Sequence, residues 1–161
     1  MRGPTSRRKQ HSLAAVAAAV QPSVVSITVR GSGQQVEGSG VVVRSDGLML
    51  TNNHVVEDAA GGGRITVELS DGTTATASVV GTDREADLAV IQAQGVSGLQ
   101  AASFGDSDDL QVGDTVLAIG TPLGLEGSVT ASIVSALHRS VDGAGVTIGD
   151  AIVDRLTGGQ A

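Results

Sequence analysis

Between Ser23 and Ala93 the chain repeats one pattern: a short run rich in Val, Ile, Leu and Thr, then a break built on Gly or Asp-Gly. Runs that short and that β-branched suit a pleated, half-buried surface, and none holds a helical period long enough for a βαβ unit. In the first run Val25, Ile27 and Val29 share a face while Ser26, Thr28 and Arg30 take the other. Val36–Val43 follows, and Asp46-Gly47 supplies a tight hairpin turn into Leu48–Thr51. Ile65–Leu69, an Asp71-Gly72 turn, Thr74–Val80 and Leu88–Ala93 complete six strands. Their spacing of about 8–12 residues predicts an all-β barrel or sandwich.

Composition agrees with that class. The chain holds 23 Val and 23 Gly but a single Phe (Phe104) and no Tyr or Trp, so its core is aliphatic. Without Tyr or Trp there is no stacking platform for single-stranded nucleic acid. Without Cys there are no disulfides, thiol nucleophiles or zinc–thiolate sites. His occurs only at positions 11, 54 and 138, which argues against an all-His metal cluster. Four of the ten basic residues (Arg2, Arg7, Arg8, Lys9) lie in the first nine positions, leaving six against 17 acidic groups elsewhere. A body that acidic repels phosphate backbones, which excludes nucleic-acid binding except weakly through the basic tail.

Residues 1–20 are read as a basic tail and a short apolar lead-in. Ser12–Val20 mimics the apolar segment of a signal peptide. An amphipathic or buried helical turn ended by Pro22 is preferred, because no convincing cleavage site precedes the first strand. No apolar run approaches the ~20 residues of a membrane span. Residues 21–97 form the first strand group. From 98 to 161 a second begins, with Phe104–Leu110 as loop, Asp114–Gly120 as strand, Thr121–Gly124 as turn, and Val129–Leu137 and Val146–Val153 as strands around Asp142-Gly143. Only about three strands fit there.

Several chemistries fail on spacing. No Gly-Lys-Ser/Thr is present, so there is no phosphate loop. The glycines at 143, 145 and 149 do not fit a dinucleotide fingerprint and read as a hairpin turn. Asp106, Asp108 and Asp109 lack the spacing and terminal Glu of a Ca²⁺ loop and read as a solvated loop. Two residues remain. His54 follows a strand directly, beside two amides, Asn52 and Asn53, that can fix a local turn. Asp87 precedes the apolar run Leu88–Ala93 and therefore sits at the mouth of a strand, where a carboxylate needs a partner. An imidazole N–H is one such partner, holding the ring in one tautomer so that the other nitrogen serves as a base. Backbone amides of a turn are the alternative.

Four segments together carry a resemblance. Gly38–Val43 with Asp46–Val56 resembles the catalytic-histidine segment of the HtrA/DegP family of trypsin-like serine proteases. Asp83–Val90 resembles that family's catalytic-aspartate segment, and Phe104–Gly124 and Gly127–Leu137 resemble the approach to its second barrel. The match covers about residues 20–140. It implies a chymotrypsin-type double β-barrel, with the first barrel complete here and the second partial. It also implies an extracytoplasmic endopeptidase acting on unfolded or misfolded polypeptides, needing neither cofactor nor metal.

By the same resemblance His54 is the general base and Asp87 its orienting partner. His11 and His138 match no catalytic position and are expected to be exposed. Homo-oligomers, trimers in particular, are implied as well. A membrane anchor and a PDZ domain, common in the family, are not in these residues. The family's nucleophile stands in a Gly-Asn-Ser-Gly-Gly segment, and no such segment occurs here. Gly159-Gln160-Ala161 overlays Gly-Asn-Ser in register, putting Ala161 at the serine position; the alternative is that the resemblance lapses after about residue 140. Ser128, Ser132, Ser135 and Ser140 lack the glycine-rich neighbourhood of a nucleophile turn. The reading is of a fragment without its nucleophile, the alternative being a non-catalytic, chaperone-like binding module.

Overall fold

Alternation along the strands has one physical consequence: every second side chain must find a common interior, which six short strands supply by closing on themselves or by stacking as two sheets. The computed structural model, which describes residues 12–31, 33–120, 128–143 and 146–156, shows that closure. The strands are β1 (Val24–Arg30), β2 (Gln35–Val42), β3 (Leu48–Asn52), β4 (Arg64–Glu68), β5 (Thr74–Asp83) and β6 (Leu88–Ala93). They form a closed antiparallel barrel in the order β1-β2-β3-β6-β5-β4. Val25, Ile27 and Val29 all point inward, at 1% exposure or less. They pack with Val42, Met49, Ile65, Val67 and Ile91 into one aliphatic core. Each such side chain contributes roughly 1.5–3 kcal/mol on burial, so a core without aromatics is sufficient.

Turn chemistry follows the sequence. Gly72 has φ 81°, and Leu69 N–H donates to Thr73 O at 2.8 Å while Asp71 accepts from Thr73 N–H. Gly47 has φ 93°, and a Cβ there would stand 2.5 Å from Val96. The β2–β3 connection is wider than a two-residue hairpin, because Val43 and Arg44 N–H both donate to Leu48 O. Strand β5 outruns the expected Val80 and reaches Asp83, through a register shift between Val79 and Gly81.

The second group is a three-stranded antiparallel sheet of β7 (Thr115–Gly120), β8 (Ser128–Gly143) and β9 (Val146–Leu156). Asp142-Gly143 is not the turn between β8 and β9. The two residues pair with Thr147 and Val146, so β8 runs through them. After β6 the backbone stays against the barrel, with Leu99 N–H donating to Ser45 O and Ala102 N–H to Val42 O, before the chain reaches β7. The apolar lead-in is helix α1 (Leu13–Val20), whose Ser12 caps it by accepting from Ala15 N–H. It is neither buried nor cleanly amphipathic: only Ala17 is buried, while Leu13, Val16 and Val20 are exposed. It is tied down by Gln100 Nε2, which donates to Ala19 O. No described helix is long and apolar enough to cross a membrane. The basic tail with His11, the Thr121–Gly124 turn, Gly145 and Ala161 lie outside the described residues.

Gly38 and Gly40 of β2 make room for neighbours. A Cβ on Gly38 would come within 2.6 Å of Val55, and one on Gly40 within 2.7 Å of Ile27. Gly38→Ala is therefore expected to lower stability by about 1–3 kcal/mol through overpacking. The Gly38→Ala/Val55→Ala pair should lose less than the sum of its single changes, because truncating Val55 vacates the space the new methyl needs. Thermal unfolding of the four proteins of this cycle measures the coupling, and strict additivity would show that the contact is unimportant.

Candidate active site

The pairing of β3 with β6 positions the site. Its register runs from Leu48↔Gln92 to Asn52↔Leu88, so the end of β3 and the start of β6 lie side by side. The chain leaving β3 turns at once into a single helical turn, α2 (Asn53–Val56). The residue preceding β6 is Asp87, with φ 51°. Asp tolerates this left-handed conformation better than most residues, and it aims the carboxylate back toward α2. Val55 and Val56 are buried and fasten α2 to the barrel, Val55 over Gly38. His54 is left outside.

Asp87 uses both carboxylate oxygens and its backbone oxygen on this segment. Oδ1 accepts the His54 backbone N–H at 3.0 Å, and Oδ2 lies 2.8 Å from His54 Nδ1. Oδ2 and the Asp87 backbone oxygen also accept from Asn52 Nδ2, at 3.2 and 3.1 Å. Asn53 N–H donates to that backbone oxygen as well. The Asp87 carboxyl is held below its ordinary pKa. Burial pushes it up, but the His54 backbone amide, the His54 ring and Asn52 together outweigh burial.

An anionic acceptor at Nδ1 fixes the Nδ1–H tautomer and leaves Nε2 with its lone pair. Nε2 has no hydrogen-bond partner among the described residues. The His54 side chain is 54% exposed against 13% for Asp87. The carboxylate is thus sheltered, while the ring it orients is open to an approaching group. This arrangement can take a proton at Nε2 with a counter-charge already in place behind the ring.

The structure brings the two sequence-selected residues together and separates the rest. His138 lies on an exposed stretch of β8 with φ 55°, and Ser132 is buried. Asp106 caps a short 3-10 turn by accepting from Asp108 N–H. No group of three or more His, Asp or Glu among the described residues is placed to hold a metal ion. Sequence reasoning missed the role of the amides. Asn52 does not fix a local turn; it reaches across 35 residues to Asp87, because the β3–β6 register puts it opposite Leu88. The sequence carries no signal for that pairing beyond the adjacency of Asn52 to His54.

Comparison with known proteins gives this geometry a context. Residues 38–158 match the Trypsin-like peptidase domain. Serine protease PepD of Mycobacterium tuberculosis is 49% identical over 148 residues, covering 88% of this chain and 32% of PepD. Periplasmic serine endoprotease DegP of Escherichia coli K12 is 49% identical over 115 residues, covering 68% of this chain and 24% of DegP. Among solved structures, Deg5 superposes with a TM-score of 0.74 at 33% identity, over 87% of this chain and 70% of Deg5. The HtrA-type protease AlgW with tripeptide gives 0.73 at 32% identity, over 89% and 50%. The chain belongs to the trypsin-like peptidase family. Its relatives and structural neighbours lie on the HtrA/DegP side of that family. The chain spans about a third or less of the length of the curated relatives it matches.

The pKa of Asp87 sets a sign for acid stability. A carboxyl whose folded pKa lies below its unfolded value near 3.9 adds stability that is complete above that value. That contribution is lost as pH falls through the folded pKa. Asp87→Asn keeps a residue that tolerates φ 51° but loses the anion, and should cost about 1–3 kcal/mol at pH 7. Its melting temperature should then fall less steeply than the wild type's below about pH 4. Parallel curves in thermal melts across pH 2–7 would remove Asp87 from the acid response.

Proposed function

We propose that this chain carries the general-base half of a serine endopeptidase that cleaves unfolded polypeptides outside the cytoplasm. The observation that carries the reading is the 2.8 Å contact of His54 Nδ1 with Asp87 Oδ2, which leaves Nε2 free and exposed. Family membership supports the reaction type, and relatives named as periplasmic serine endoproteases support the compartment.

In this mechanism Nε2 of His54 removes the proton from a serine hydroxyl as its oxygen attacks the peptide carbonyl. It then delivers that proton to the departing amine. Asp87 holds the ring in the tautomer that can accept the proton and faces it as positive charge develops. Asn52 and the amides of Asn53 and His54 hold Asp87. The nucleophile itself belongs to a glycine-flanked serine segment. The 161 residues contain no Gly-Asn-Ser-Gly-Gly, so this polypeptide by itself is not expected to hydrolyse peptide bonds.

Two preparations test the proposal. The 161-residue chain incubated with denatured casein and a serine-directed fluorophosphonate probe should release no peptides and take no label. A longer polypeptide that continues these residues into a glycine-flanked serine should cleave casein. In that protein His54→Ala is expected to lower kcat about 10⁶-fold and Asp87→Asn about 10⁴-fold. Cleavage that survives His54→Ala would overturn the assignment, and so would labelling of the short chain.

A further inference from the structure

Among the described residues Asp87 accepts five hydrogen bonds, and all come from three successive positions, Asn52, Asn53 and His54. Its backbone oxygen takes Asn53 N–H and Asn52 Nδ2, each at 3.1 Å, which uses both lone pairs. Oδ1 takes the His54 N–H at 3.0 Å, and Oδ2 takes His54 Nδ1 at 2.8 Å and Asn52 Nδ2 at 3.2 Å. Two of these donors are backbone amides, which almost any residue supplies, and one is the ring being positioned. The Asn52 side chain is the remaining device, and it alone depends on the choice of a residue outside the His54–Asp87 pair.

Its placement follows from β3. Alternation buries Thr51, whose Oγ1 donates to Ser39 O at 2.8 Å, and turns Asn52 to the outer face opposite Leu88. Both groups it meets there are acceptors, a carbonyl and an ionised carboxylate, so the amide presents its NH2 to them. That NH2 bridges the backbone and the carboxylate of one residue. It braces a main chain held at φ 51° and opposes rotation of the carboxylate away from the ring. Oδ2 is thereby kept against Nδ1, the contact that fixes the proton on that nitrogen. A neutral donor suits this task. Lys or Arg would also hold the carboxylate, but a fixed cation opposes the positive charge the ring must acquire. A hydroxyl has one hydrogen where two acceptors wait, and a second carboxylate would repel the first.

We propose that Asn52 is a positioning residue for the general base: by tying Asp87 Oδ2 to the Asp87 backbone oxygen, it keeps His54 in the Nδ1–H tautomer with the lone pair on Nε2. The inference rests on the reading of His54 as the base and deepens it, because Asn52 acts through Asp87 and not on the reacting atoms. Asn52 is exposed and stands outside the aliphatic core, so replacing it leaves the barrel packing intact.

The test reads the ring directly, in the 161-residue chain labelled with ¹⁵N-histidine. Two-bond ¹⁵N–¹H correlation spectra, taken at a pH about two units above the ordinary imidazole pKa, report which nitrogen carries the proton. His54→Gln assigns the His54 signals by their loss. The unmodified chain should show Nδ1–H. In Asn52→Leu the ratio of Nδ1–H to Nε2–H should fall about ten-fold, the size expected when a hydrogen bond to a charged group is lost. Asn52→Gln keeps an NH2 and should lose less, and amide exchange along β3 and β6 should match the unmodified chain in both variants. In the longer polypeptide that continues into a glycine-flanked serine, Asn52→Leu should lower kcat and leave KM unchanged. An unmodified ring protonated on Nε2 would sink the general-base reading and the role of Asn52 with it. An Nδ1–H ring whose ratio survives Asn52→Leu overturns the role of Asn52 alone. Equal loss in Asn52→Gln, faster exchange along β3 and β6, or an effect confined to KM overturns that role as well.

Discussion

The antiparallel register between β3 and β6 is the constraint on which the site depends. It brings together two chain positions 33 residues apart and fixes which residue follows one strand end and which precedes the other. A slip of one residue would turn Met49 and Ile91 out of the barrel, and the loss of two fully buried aliphatic side chains forbids it. The chemical geometry is therefore held by hydrophobic burial several residues away. The hydrogen bonds around Asp87 refine a placement that the core has already imposed.

Small residues do comparable work on the other side. Strand β2 carries Gly38 and Gly40 where β propensity alone would ask for larger side chains. The glycine at 38 lets Val55 settle against the strand, and Val55 with Val56 holds the helical turn down so that the residue between Asn53 and Val55 faces outward. The barrel gives up strand stability at β2 and gains a firmly seated platform at α2.

Much of this was legible in the residues. Short β-branched runs and Asp-Gly turns marked six strands, and the alternation at Val25, Ile27 and Val29 named the inward face correctly. His54 and Asp87 stood out because each flanks a strand. What the residues did not show was any contact dependent on which strands are neighbours. Asn52 looked like a local turn former, since short amides usually bond nearby, yet the register turned its side chain toward Asp87. The extension of β5 past Val80 was hidden for a similar reason: a bulge is set by the partner strand, not by the propensities of Gly81 and Thr82. Asp142-Gly143 misled in the opposite direction. Its turn propensity yielded to a ladder that carries β8 through both residues.

The left-handed backbone at Asp87 has a consequence for how this site can change over time. Few side chains accept φ 51°, and of the two that accept it most readily besides Asp, neither Asn nor Gly carries a charge. Glu keeps the charge but adds a methylene and resists the conformation. Single replacements at this position thus have no graded middle ground between a carboxylate fully in place and none at all. A lineage bearing this fold keeps its Asp or abandons the anion in one step.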